Sequence, residues 1–213
     1  MRKWNLSLRA RGWAAILILA APAMATAATF RKEASIVELV GQSELILHGR
    51  VKELTDGIDE LGIPYTQVTL RVAEAVKGQA GKEYTFRQFG LLKPRRMPDG
   101  RTNLMVTPSG WAKYALGEEA ILFLNKPAAW TGLQTTSALG QGKFTVRVAG
   151  AVNTVNNTGL FQGVTADPTL LGETDKRVLS TQKGAVNAKA FLALVRQAVK
   201  GEWVEKGMMR HAK

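Results

Sequence analysis

Tyr65-Thr66-Gln67-Val68-Thr69-Leu70-Arg71-Val72-Ala73-Glu74-Ala75-Val76-Lys77 decides the fold class, because apolar and polar side chains alternate along it. A period of two places Val68, Leu70, Val72 and Val76 on one face and Gln67, Thr69 and Arg71 on the other, the pattern of a half-buried strand. Lys77-Gly78 ends it. Upstream, Leu45, Leu47 and Val51 alternate with His48, Arg50 and Lys52, which predicts a strand followed by a turn at Asp56-Gly57. Downstream, Tyr84 and Phe86 oppose Thr85 and Arg87 within residues 82–89. Three such strands in succession predict an antiparallel meander.

Residues 120–124 form an unbroken apolar run, which suits a central strand buried on both faces. Residues 130–137 and 143–148 are further strand candidates, separated by Gly140-Gln141-Gly142 and read as a closing hairpin. Residues 153–172 are rich in Asn, Thr and Gly and read as an irregular excursion anchored by Leu160 and Phe161. Helices bracket the sheet. Ser35 and Glu38 have capping-box spacing ahead of Ile36, Val37, Leu39 and Val40, and Asn187 can cap a helix carrying Phe191, Leu194, Val195 and Ala198. The tail from Glu202 to Lys213 carries Trp203 but no sustained period, and is expected to fray.

The N-terminus reads differently. Arg2, Lys3, Arg9 and Arg11 precede an apolar run from Trp13 to Ala23 and then Ala25-Thr26-Ala27, the order of a cleavable secretory signal over residues 1–28. The run is shorter than the roughly 20 residues a membrane-spanning helix requires, so no transmembrane segment is expected after cleavage. Of 29 Lys and Arg, removal of the leader takes four, leaving 25 against 17 Asp and Glu, a net charge of +8. That favours anionic partners in the periplasm or outside the cell, and export disfavours nucleic acid. The absence of cysteine excludes disulfides, thiolate metal sites and a cysteine nucleophile.

No constellation predicts catalysis, a metal site or a cofactor. His48 falls on the strand face of Arg50 and Lys52, which predicts a solvated position, and His211 lies in the tail. Zinc would need further ligands that no spacing supplies. Pro108-Ser109-Gly110 is no nucleophile elbow, and the carboxylate pairs Asp59-Glu60 and Glu118-Glu119 read as solvated charge. One segment earns a binding hypothesis. Residues 90–110, broken by Pro94, Pro98 and Pro108, carry Lys93, Arg95, Arg96 and Arg101, which could clamp phosphate or carboxylate groups. Trp111 and Tyr114 follow closely and offer stacking surfaces, or else plug the end of the core.

Three runs carry a resemblance: Ser43-Glu44-Leu45-Ile46-Leu47-His48-Gly49-Arg50-Val51, then Thr66 to Val76 with Lys77-Gly78, then Gly117-Glu118-Glu119-Ala120-Ile121-Leu122-Phe123-Leu124. In that order they resemble a broad group of uncharacterised bacterial exported proteins with an OB-like or netrin-like β-barrel. Gly140 to Phe144 and Asn156 to Phe161 look like its C-terminal half, so the likeness covers about residues 35 to 165. The barrel is similar to that of tissue inhibitors of metalloproteinases, whose zinc-chelating N-terminal cysteine has no counterpart here. OB-like barrels also bind oligosaccharides and nucleic acids on a sheet face.

The expected architecture is therefore mainly β, an OB-like antiparallel barrel or sandwich over residues 29–180, with a short N-terminal helix. An amphipathic helix and flexible tail follow over residues 181–213. The expected role is a non-enzymatic exported module that binds an anionic glycan, a lipid head group or another exported protein. Alternatives are an inhibitor or accessory factor of an exported protease and a hydrolase with an unrecognised site.

Overall fold

The computed structural model describes residues 33–147, 150–153, 159–181 and 184–212; the leader reading and Val148 fall outside them. Helix α1, Ile36–Gln42, begins at the expected capping box, with Ser35 Oγ accepting from Glu38 N–H at 3.2 Å and Glu38 Oε2 accepting from Ser35 N–H at 2.8 Å. The meander follows as β1 (Leu45–Ile58), β2 (Pro64–Lys77) and β3 (Glu83–Phe89). Asp56 and Gly57 do not turn; they continue β1 opposite Thr66 and Tyr65. Gly57 leaves room for the Tyr65 ring, whose hydroxyl would stand 2.6 Å from any Cβ there. The hairpin turns instead at Asp59, whose carboxylate accepts from Leu61 and Ile63 N–H.

A ribbon of β4 (Arg95–Arg96) and β5 (Thr102–Asn103) precedes β6 (Glu119–Leu124), and β7 (Lys143–Thr145) completes an antiparallel sheet in the order β3-β2-β1-β6-β7. These strands do not close into a barrel. Residues 130–137 form no strand of their own, because they meet β6 only in an isolated antiparallel bridge, Leu124 opposite Thr136, and β3 through one backbone bond. Gln134 N–H donates to Arg87 O of β3, and Ser137 N–H donates to Phe123 O of β6. Leu139–Gly142 is a 3₁₀ turn and β7 pairs with β6, so the expected closing hairpin of residues 130–137 with 143–148 does not form.

Both faces of the sheet are covered, which explains the unbroken apolar run of β6. Ala120, Leu122 and Leu124 join Leu47, Val68, Leu70 and Phe86 on one face, while Ile121 and Phe123 join Ile46 and Phe144 on the other. Val76 does not share a face with Val68 and Leu70. The register shift between β1 and β2 at His48/Gly49, which skips Ala73, reverses the alternation and turns Val76 to the second face. Gly49 sits at one shift, where a Cβ would meet Arg71 O at 2.5 Å.

The second face is covered by helices. Short strands β8 (Ala151–Asn153) and β9 (Val164–Ala166), helix α2 (Glu173–Ser180), strand β10 (Ala185–Asn187) and helix α3 (Ala188–Lys200) lead to β11 (Met209–His211). Asn187 caps α3 as expected, accepting from Ala190 N–H at 3.1 Å, and Phe191 meets Phe123, Phe144 and Phe161 at 5.2–6.3 Å between ring centroids. Leu160 and Phe161 are the buried anchors expected within residues 153–172, but that stretch is not all irregular, since β9 lies in it. The tail from Glu202 does not fray: Trp203 is 6% exposed, and β11 pairs with β9. Helix α2 escapes a periodicity reading because it buries few apolar side chains.

Candidate functional site

The long loop after β3 is a hairpin ribbon whose base is tied beside the β1–β2 turn. Gly90 N–H donates to Pro64 O at 2.8 Å, and the Asp56 carboxylate accepts from Leu92 N–H at 2.9 Å and from the Arg95 guanidinium. On the returning chain, Met105 O accepts from Leu91 N–H and Thr107 N–H donates to Leu91 O, while Met97 N–H closes the tip on Arg101 O.

The four cations of the ribbon have divided roles. Arg95 is consumed by Asp56, whose side chain is only 13% exposed, so that pair anchors the ribbon to β1. Arg101 folds onto Asp99 two residues away, with Nε at 2.7 Å and Nη2 at 2.6 Å from Oδ2, and holds that carboxyl below the usual carboxylate range. Lys93 and Arg96 are exposed and have no ion-pair partner among the described residues. Lys93 stands at a cavity of about 350 Å³ bounded by Pro94, Gln88, Thr66, Tyr114 and Lys113. Lys113 was not singled out in the sequence, although it lies between Trp111 and Tyr114.

The two rings are not free platforms. Trp111 is half-buried against Phe89 at 6.3 Å, and Tyr114 packs edge-on against Phe86 at 5.7 Å with Lys143 Nζ 5.3 Å from its centroid. Burial pushes the Tyr114 hydroxyl above the usual tyrosine range, so it stays neutral. Tyr114 and Lys93 meet at the cavity; Trp111 does not line it. Gln88, 1% exposed, donates from Nε2 to Ala112 O at 2.9 Å and leaves Oε1 without a protein partner.

A second group of charges lies at the β1–β6 seam, and here the structure corrects two expectations. His48 is not solvated: its side chain is 19% exposed, with Nε2 2.9 Å from Glu119 Oε1, while Arg50 holds the other carboxylate oxygen at 2.6 Å. Glu118 is likewise engaged, with Lys143 Nζ at 2.5 Å and side chains 14% and 10% exposed. Thr145 Oγ1 also donates to Glu118. Each carboxylate has found its own partners, those of Glu119 on β1 and those of Glu118 on β7. Arg50, Glu118, Glu119 and Arg147 line a cleft of about 780 Å³ there. Among the described residues no three His, Asp or Glu side chains are grouped so as to hold a metal ion.

Set beside known proteins, the chain matches no family model, and no curated protein is significantly similar to it.

Proposed function

We propose that this protein is an exported, non-enzymatic binding module whose β4–β5 ribbon recognises an anionic component of the cell envelope. The observation that carries the reading is the pair Lys93 and Arg96: both are exposed, both lack an ion-pair partner among the described residues, and Lys93 lies at the mouth of the 350 Å³ cavity. A cation already paired gains little by moving to a ligand, whereas an unpaired one offers its full charge to phosphate or carboxylate. Lys113 adds a second cation beside Lys93 at that cavity. The ribbon's anchorage through Asp56 and Arg95 limits the ordering cost of binding.

We also read the sheet as OB-like, with residues 134–137 bridging the gap between β3 and β6. Support comes from the bonds of Gln134 to Arg87 and of Ser137 to Phe123. On that reading the cavity opens at one end of a barrel-like core.

The test is retention on an immobilised phosphorylated polysaccharide over a series of salt concentrations. Lys93→Ala with Arg96→Ala should lower retention and flatten its salt dependence, whereas Arg101→Ala should do so less, because Asp99 already offsets that charge. Equal retention of all three proteins would end the proposal.

A further inference from the structure

Exposed apolar side chains are concentrated where the free cations are. On the ribbon, Leu92 is 46% exposed, Leu104 71%, Met105 50% and Val106 37%, and Leu61 at the neighbouring β1–β2 turn is 63% exposed. Most lone apolar side chains on a surface need no explanation, but four within one short hairpin, interleaved with Lys93 and Arg96, form an amphipathic projection. A ribbon of this length cannot bury those side chains on itself.

We infer that the ribbon docks on an anionic lipid bilayer, Leu104 and Met105 entering the interfacial layer while Lys93 and Arg96 engage lipid phosphates. This rests on the anion-binding reading above and names the source of the anion. Three features favour a bilayer over a protein partner. The apolar residues on the projection are aliphatic and flexible, unlike the Trp and Tyr anchors that dominate tight protein interfaces. Leu104 and Met105 stand on the hairpin outside the cavity that Leu92 and Val106 help to line. The cations lie beside them, so apolar insertion and headgroup attraction act at one depth. Arg95, held by Asp56, and Arg101, folded onto Asp99, are less available to a headgroup than Lys93 and Arg96.

Vesicle co-sedimentation tests the inference, using neutral phosphatidylcholine vesicles and vesicles with about one-third phosphatidylglycerol, and comparing proteins that share one N-terminus. The unmodified protein should prefer anionic vesicles. Lys93→Ala with Arg96→Ala and, separately, Leu104→Ser with Met105→Ser should each lower partitioning about tenfold or more. Thermal unfolding of each variant verifies that the fold is retained, which the exposure of all four side chains favours.

The chain has no cysteine, so Met105→Cys creates a unique site for an environment-sensitive dye. Its emission should shift to the blue on anionic vesicles, while the same dye at Ser180→Cys on α2 should not respond. Loss of polysaccharide and vesicle binding in the charge variant, with no effect of the Leu104/Met105 pair and no dye shift, would overturn the bilayer inference and leave the anion reading standing. Binding to both polysaccharide and vesicles that is insensitive to Lys93 and Arg96 would overturn both. Specific capture of a protein by the ribbon without any vesicle binding would also overturn the inference.

Discussion

Glu118 illustrates how much a single side chain can depend on residues far from it in the chain. It follows Gly117 in an apparently exposed acidic pair, yet its carboxylate is nearly enclosed with Lys143 Nζ and Thr145 Oγ1. Removing one partner of an enclosed pair leaves a charge without compensation, which costs more than the pair itself contributes. Glu118→Ala should therefore destabilise the protein by about 3 kcal/mol in urea unfolding, and Glu118→Ala with Lys143→Ala by less than the sum of the two single changes. His48 teaches the same lesson. Strand alternation correctly put it with Arg50, but Glu119 on β6 turned that face from a solvated surface into an ion-paired seam. The Lys93, Arg95, Arg96 and Arg101 cluster was legible as a charge concentration. Which of the four are engaged was not, because Asp56 lies 39 residues from Arg95.

Among the elements, legibility follows the range of the interactions that stabilise each one. Helix α1 announces itself through a capping box closed within three residues, and α3 through its cap and a 3.6-residue apolar stripe. Strand β2 is equally clear in its alternation, but the alternation fails at Val76 because a register shift against β1 is a property of two strands. Residues 130–137 have a strand-like composition and no strand, since β3 and β6 take their hydrogen bonds separately. The energetic weight of α3 rests on Phe191, fully buried among three other phenylalanines. Phe191→Ala should cost about 4 kcal/mol of stability, whereas an exposed change on the same helix such as Lys189→Ala should leave the unfolding midpoint almost unmoved.

At the scale of the described residues, the helical layer is joined to the sheet by apolar packing and by a bidentate ion pair, Arg196 Nε and Nη2 to Glu74 at 2.6 and 2.8 Å. The Arg196 hydrogen bonds hold the Glu74 carboxyl below its ordinary value of 4.5, against a smaller opposing effect of burial. The pair's stabilisation is therefore complete above that ordinary value and is lost as pH falls through the lowered value in the folded protein. Glu74→Gln should be less stable than the unmodified protein near neutral pH, and the difference should shrink as pH is lowered from about 6 to about 3, read by thermal unfolding at each pH. A constant difference would mean that the pair does not titrate with folding. Taken alone, the sequence determined a mainly β chain with an antiparallel meander, a doubly buried central strand and two capped helices. Periodicity, capping and turn chemistry act over a few residues and are written in adjacent positions. Only the tertiary structure decided the register shifts, the course of residues 130–137, the packed tail and the division of the ribbon's cations into paired and free. Each of those depends on groups brought together from distant parts of the chain, and no local pattern encodes which of several possible partners will arrive.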